Sequence, residues 1–177
     1  MHAHQTCMTT TTLFATALLA LSTPAFAQSI NDAQIASIVV TANQVDVDAG
    51  KLAVSRSGNA DVKKFAQLMV DDHTGVNKQA VALVTRVKVT PEDNDTSKSL
   101  KAGGDRNLAT LKGLKGAAFD KAYVDHEVAY HQAVLDAVDQ TLIPNASNPD
   151  LKALLVKVRP AFVAHLEHAK HVQASLK

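Results

Sequence analysis

The 177-residue chain has no tryptophan and a single cysteine, and aromatics make up only 4% of it. The cysteine, Cys7, falls in the N-terminal leader, so the rest of the chain has neither a disulfide nor a thiol ligand. Such a chain must be held together by its apolar core, and about 150 residues suffice for one. Neither sign of charge dominates: 18 Lys and Arg stand against 17 Asp and Glu, with no long run of either. That balance argues against a nucleic-acid partner and against a basic membrane patch. Glutamate is scarce, with Glu92, Glu127 and Glu167 the only three. Beyond the leader no apolar run is long enough to span a bilayer, so the remaining chain is expected to be soluble. The sequence specifies no protein partner and no oligomeric state.

The leader is the first feature present. Leu13 to Ser22 form a short apolar core, and Ala25 and Ala27 supply small residues at −3 and −1 of a signal-peptidase site. Residues 1–27 therefore read as a signal peptide cut after Ala27, and residues 28–177 as one domain. The leader has no Lys or Arg before its apolar core, and Met8 is an alternative start to Met1. Export plus solubility suggests the periplasm, with secretion as the alternative.

Four segments carry helical periodicity, and no credible strand interrupts them. The first runs from about Asn31 to Ser57, the second from Asn59 to Lys88, the third from Gly116 to Leu142, and the fourth from Pro149 to the end. Asparagine suits the helix starts, and Gly58, Pro144 and Pro149 mark the breaks. Val89 to Asp105 reads as a polar connection, with Pro91 and Gly103-Gly104 as breakers and a short helical piece near Arg106 to Leu111. Pro160 is expected to kink the fourth helix. Two short connections and one longer one between helices 2 and 3 predict an all-α fold, an antiparallel four-helix bundle. Phe65, Met69, Val70 and Asp71 echo Phe119, Tyr123, Val124 and Asp125 in spacing, which hints at two similar hairpins.

The stretch Tyr123 to His131, YVDHEVAYH, resembles the H-E-x-x-H signature of zinc proteases. That signature needs histidines four apart on one helix face. His126 and His131 are five apart, hence about 140° apart around a helix, and cannot share one ion there. Glu127 and His131 are correctly spaced to share a face, with Asp120 on about the same side. Asp46, Asp48, Asp72, His73, His131 and His165 fall near the midpoints of their helices. Matched antiparallel helices bring midpoints into one layer, and buried charges there must be paired or bind metal. Two explanations stand open. Asp–His pairs and the Tyr123 or Tyr130 hydroxyls satisfy one another and fix helix register, or the imidazoles and carboxylates hold a transition metal such as iron, zinc, copper or manganese. His165, His168 and His171 also permit a surface metal site, although histidines in a last helical turn also suit the helix dipole and solvent.

Asn43–Ala53, Val62–Thr74, Leu114–His131 and Ala164–Ala169, in that order, resemble the domain of unknown function 4142 family. The resemblance implies an exported bacterial protein with a ferritin-like four-helix fold, of a kind often labelled outer membrane protein. The sequence itself carries no β-barrel alternation and no lipid-attachment cysteine. The family's recurrent positions correspond to Asp46 (usually Glu), Asp72, His73, Phe119, Asp120, Tyr123, His131, His165 and Leu166. A ferritin-like fold suggests a carboxylate-bridged di-iron site, but the required Glu-x-x-His pairs are missing, which argues against a ferroxidase or oxygenase. The expected metal residues are thus Asp46, Asp72, His73, Asp120, Glu127, His131 and His165, with no catalytic set. The functional expectation is a stress-related binding module, or alternatively a structural or interaction protein.

Overall fold

The computed structural model describes residues 30–176, and the leader with Cys7 lies outside them. The described chain is all-α, with α1 (Asp32–Arg56), α2 (Ala60–Arg86), α3 (Asp95–Lys112) and α4 (Gly116–Ala137) in order. A π-helical turn (Val138–Leu142) and a last short turn, α5 (Ile143–Asn145), extend α4 before α6 (Pro149–Ser175). No strand occurs among the described residues.

Asparagine starts four of the five long helices. Asn31, Asn59, Asn94 and Asn148 each accept main-chain N–H groups of the first turn, and Pro149 follows Asn148 at the first helical position. α4 instead begins without a side-chain cap, after a turn in which Gly116 takes φ 56°. Pro160 leaves α6 helical throughout Pro149–Ser175. It sits on the exposed face, where the carbonyl it leaves unpaired can be hydrated.

The polar connection between the second and third periodic segments requires a correction: it holds α3, a helix of 18 residues. Asn94 and Ser97 form a reciprocal capping box that starts it. The glycine pair does not break it, because Gly104 is where α3 meets α1. A Cβ there would come within 2.7 Å of Val45 Cγ2, so only glycine lets the two helices approach this closely. Five long helices therefore replace the expected four.

Cross-helix contacts fix the directions. Asn43 meets His73 and Val40 meets Asn77, so α1 and α2 are antiparallel. Arg86 meets Asp150 and Asp72 meets His165, so α2 and α6 are too. Asp139 meets Arg159 and Asp125 meets Gln173, which makes α4 antiparallel to α6. α3 runs parallel to α1, with Asn94 on Gln34 and Lys112 on Arg56.

The core divides in two. One apolar cluster gathers Ile35, Val76, Leu83, Leu135, Leu155 and Phe162 toward one end. The other gathers Ala53, Phe65, Met69, Phe119, Tyr123 and Ala169 toward the opposite end. Both halves of the internal echo, Phe65 with Met69 and Phe119 with Tyr123, meet in this second cluster. Between the clusters lie Asn43, Asp46, His73, Glu127, His131 and His165, all buried. No described helix is long and apolar enough to cross a membrane.

Candidate metal centre

Four helices each deliver side chains to this polar layer: Asn43 and Asp46 from α1, His73 from α2, Glu127 and His131 from α4, His165 from α6. One ring nitrogen from each of His73, His131 and His165 lies within 4.8 Å of the other two. The ring centroids are 5.1 to 5.5 Å apart, close to an equilateral triangle. Phe162 stacks on His73 at 5.4 Å and closes the apolar side.

Hydrogen bonds set the tautomer of each ring. Asn43 Nδ2 donates to the Val39 carbonyl at 2.7 Å, which turns Asn43 Oδ1 toward His73 Nδ1, also at 2.7 Å. His73 Nδ1–H is therefore the donor, and Nε2 keeps its lone pair. His131 Nδ1–H donates to the Glu127 main-chain carbonyl at 3.0 Å, leaving Nε2 free in the same way. His165 Nε2–H donates to Asp72 Oδ2 at 2.8 Å, and its buried Nδ1 meets no partner. Three lone pairs thus stand free in the layer, each on a ring fixed from behind. Metal-binding histidines are oriented in this manner by their other nitrogen.

His73 Nε2 and His131 Nε2 are 3.4 Å apart. As two acceptors they repel unless a positive charge stands between them. Two imidazoles bound tetrahedrally to one ion at about 2.0–2.1 Å stand about 3.3 Å apart, which matches the spacing found. The donor set therefore fits a nitrogen-binding transition metal.

Carboxyl groups line the other side. Asp46 Oδ2 is 3.5 Å from His73 Nε2, and one oxygen each of Asp46 and Glu127 lies within 4.8 Å of a His131 nitrogen. Neither Glu127 oxygen, nor the Tyr123 hydroxyl, meets a hydrogen-bond partner. Burial, together with the neighbouring His165, pushes His73 down to about 3 against the pull of Asp72. Burial also lowers His131 despite the Asp46 carboxylate beside it. Both rings are hence neutral at neutral pH and able to donate lone pairs. Burial raises Asp46, which His131 draws partly back, and raises Glu127 much further with Asp46 adding to the rise. Of the two carboxyls, Glu127 is pushed further toward the protonated form.

Asp46, His73, Glu127, His131 and His165 converge, whereas two other expected residues stand apart. Asp72 acts through His165 and is itself part-exposed. Asp120 is buried, two turns before Glu127, with Oδ1 unpartnered, and belongs to neither ligand group. Tyr130 donates to the Ala42 carbonyl at 3.0 Å instead of to the layer. His126 stacks on Tyr130, and Asp48 accepts from Gln44, both outside the centre. His168 lies edge-on to Phe65 and joins no ligand group among the described residues.

The sequence profile described as Domain of unknown function (DUF4142) matches residues 16–172. The chain belongs to the DUF4142 family. No curated protein matches it. Among solved structures it resembles one described as CopM in the Cu(II)-bound form, with a TM-score of 0.64 at 16% identity. That likeness covers 82% of this chain and 98% of the other, and it is a likeness of fold.

One residue of this DUF4142 centre escaped sequence reasoning: Asn43, which aims the His73 ring. Its signal was present. An amide in a helix interior, on the Asp46 face and one turn before it, has no local reason to be there.

Proposed function

We propose that this DUF4142 protein binds a single copper ion in the polar layer, through His73, His131 and His165, with Asp46 as the anionic neighbour. Three converging imidazoles carry the reading, each ring being held by Asn43, the Glu127 carbonyl or Asp72. An imidazole-rich site prefers copper over the other divalent first-row ions. The Cu(II)-bound state of the structurally similar CopM supports the same choice. The scaffold is best read as a ferritin-like bundle of α1, α2, α4 and α6, with α3 laid along α1. Residues 1–27 read as an export signal, which supports copper handling outside the cytoplasm, in the periplasm or after secretion. When bound, copper would supply affinity for nitrogen ligands and redox capacity. The chain's own residues orient the three rings, keep His73 and His131 neutral and exclude water.

Copper titration of purified, tag-free protein, followed by elemental analysis and electron paramagnetic resonance, tests this. One copper per chain with nitrogen couplings is expected, and affinity should fall at least about 100-fold in His73→Ala and His131→Ala. Copper at background in the wild-type protein, unchanged in both variants, would leave the layer with a register-fixing role only.

A further inference from the structure

A second feature lies beside the layer and shares only His73 with the triad. Where α1, α3, α4 and α6 meet, the packing leaves a cavity of about 150 Å³. Its walls are carbon, from Ile38, Leu100, Val134, Val138, Leu142 and Phe162 among others. The π-helical turn builds one wall: the Ile143 N–H bonds back to the Val138 carbonyl, and Val138 and Leu142 are both buried facing the space. Such turns are over-represented at functional sites. The exposed residues Thr96 and Ala133 stand at its rim.

Polarity is confined to one end. Asn43 spends both ends of its amide on Val39 and His73, and Tyr130 spends its hydroxyl on Ala42. Asp46 and His73 are left to face an occupant. His131, Glu127 and His165 do not line the cavity, so it is a chamber beside the layer that touches it through Asn43, Asp46 and His73.

We propose that this cavity binds a small neutral molecule with a single-ring apolar body and one hydroxyl group, the hydroxyl turned toward Asp46 and His73. An apolar cavity of this size holds a molecule as large as benzene. A charged molecule would have to shed its hydration against carbon walls, which excludes it. A hydroxyl both donates and accepts, so it satisfies Asp46 in either charge state.

Phenol is the probe, measured by calorimetry on chelator-treated, tag-free protein, with toluene and benzoate as comparisons. Phenol should bind, toluene about tenfold more weakly for want of the hydroxyl, and benzoate not at all. Ala133→Phe, at an exposed position on the rim, should weaken phenol at least about tenfold with an unchanged melting temperature. His165→Ala, which removes a triad member outside the cavity, should leave phenol affinity within about twofold. Copper loss without phenol loss in that variant separates the two sites. No phenol binding at millimolar concentration, unaltered affinity in Ala133→Phe, or benzoate binding as well as phenol would each overturn the proposal.

Discussion

The two apolar clusters and the layer between them are equally buried, yet they are built on opposite principles. In the cluster around Phe65 and Phe119 every side chain finds carbon neighbours, and burial alone stabilises. In the layer, burial works against the residues present, raising the carboxyls and lowering the imidazoles. Several of its polar atoms meet nothing at all. The clusters account for why the chain folds. The layer is a cost borne inside that fold, and stability offers no reason for it.

Substitutions should separate the two regions. The largest effect is expected from Phe65→Ala, which empties the second cluster: urea unfolding of chelator-treated protein should show a loss of about 3–5 kcal/mol. His131→Leu, equally buried, should cost less than Phe65→Ala while abolishing copper binding, because it removes an uncharged ring and empties little volume. A loss as large as that of Phe65→Ala would erase the distinction.

The smallest effect concerns pH. The folded-state pKa of Glu127 is raised above its ordinary 4.5, so its contribution is fully present below that pH and is lost as pH rises toward the folded value. Glu127→Gln is neutral at every pH, so its stability relative to wild type should grow above pH 4.5, by at most about 1.4 kcal/mol per pH unit. His73 works in the other direction, losing stability as pH falls from 6.5 toward about 3, and cancels in this comparison because both proteins carry it. A flat difference between pH 5 and 8 would mean that Glu127 is not held protonated.

Much of this organisation was legible beforehand because it rests on period and spacing. Asn31 and Asn59 announce helix starts by their capping chemistry, and the midpoint argument selects His73, His131 and His165 without any coordinates. What escaped was tertiary. α3 looked like a loop because its glycines are read as breakers, whereas Gly104 serves the close approach to Val45. The division of labour between Asp72 and Asp46 depends on how far each side chain reaches across a neighbouring helix, and one-dimensional periodicity cannot register that. The phenol-sized chamber arises from the sparse contact between α1 and α4, a gap that no residue pattern encodes.

The layer is assembled from two halves that are each local in sequence. The α1–α2 hairpin carries Asp46 and His73, and the α4–α6 hairpin carries Glu127, His131 and His165. Neither hairpin alone holds a complete ligand set, so an ion binds tightly only once the two have docked. The candidate ligands are at most 3% exposed, and the neighbouring chamber is walled mostly by carbon, with Asp46 and His73 only where it meets the layer. On the proposed reading, capture and release of an ion would then be governed by the parting of the hairpins. The residence time of a bound ion becomes a property of bundle opening, set by the apolar clusters on either side, and retention can long outlast what affinity alone would give.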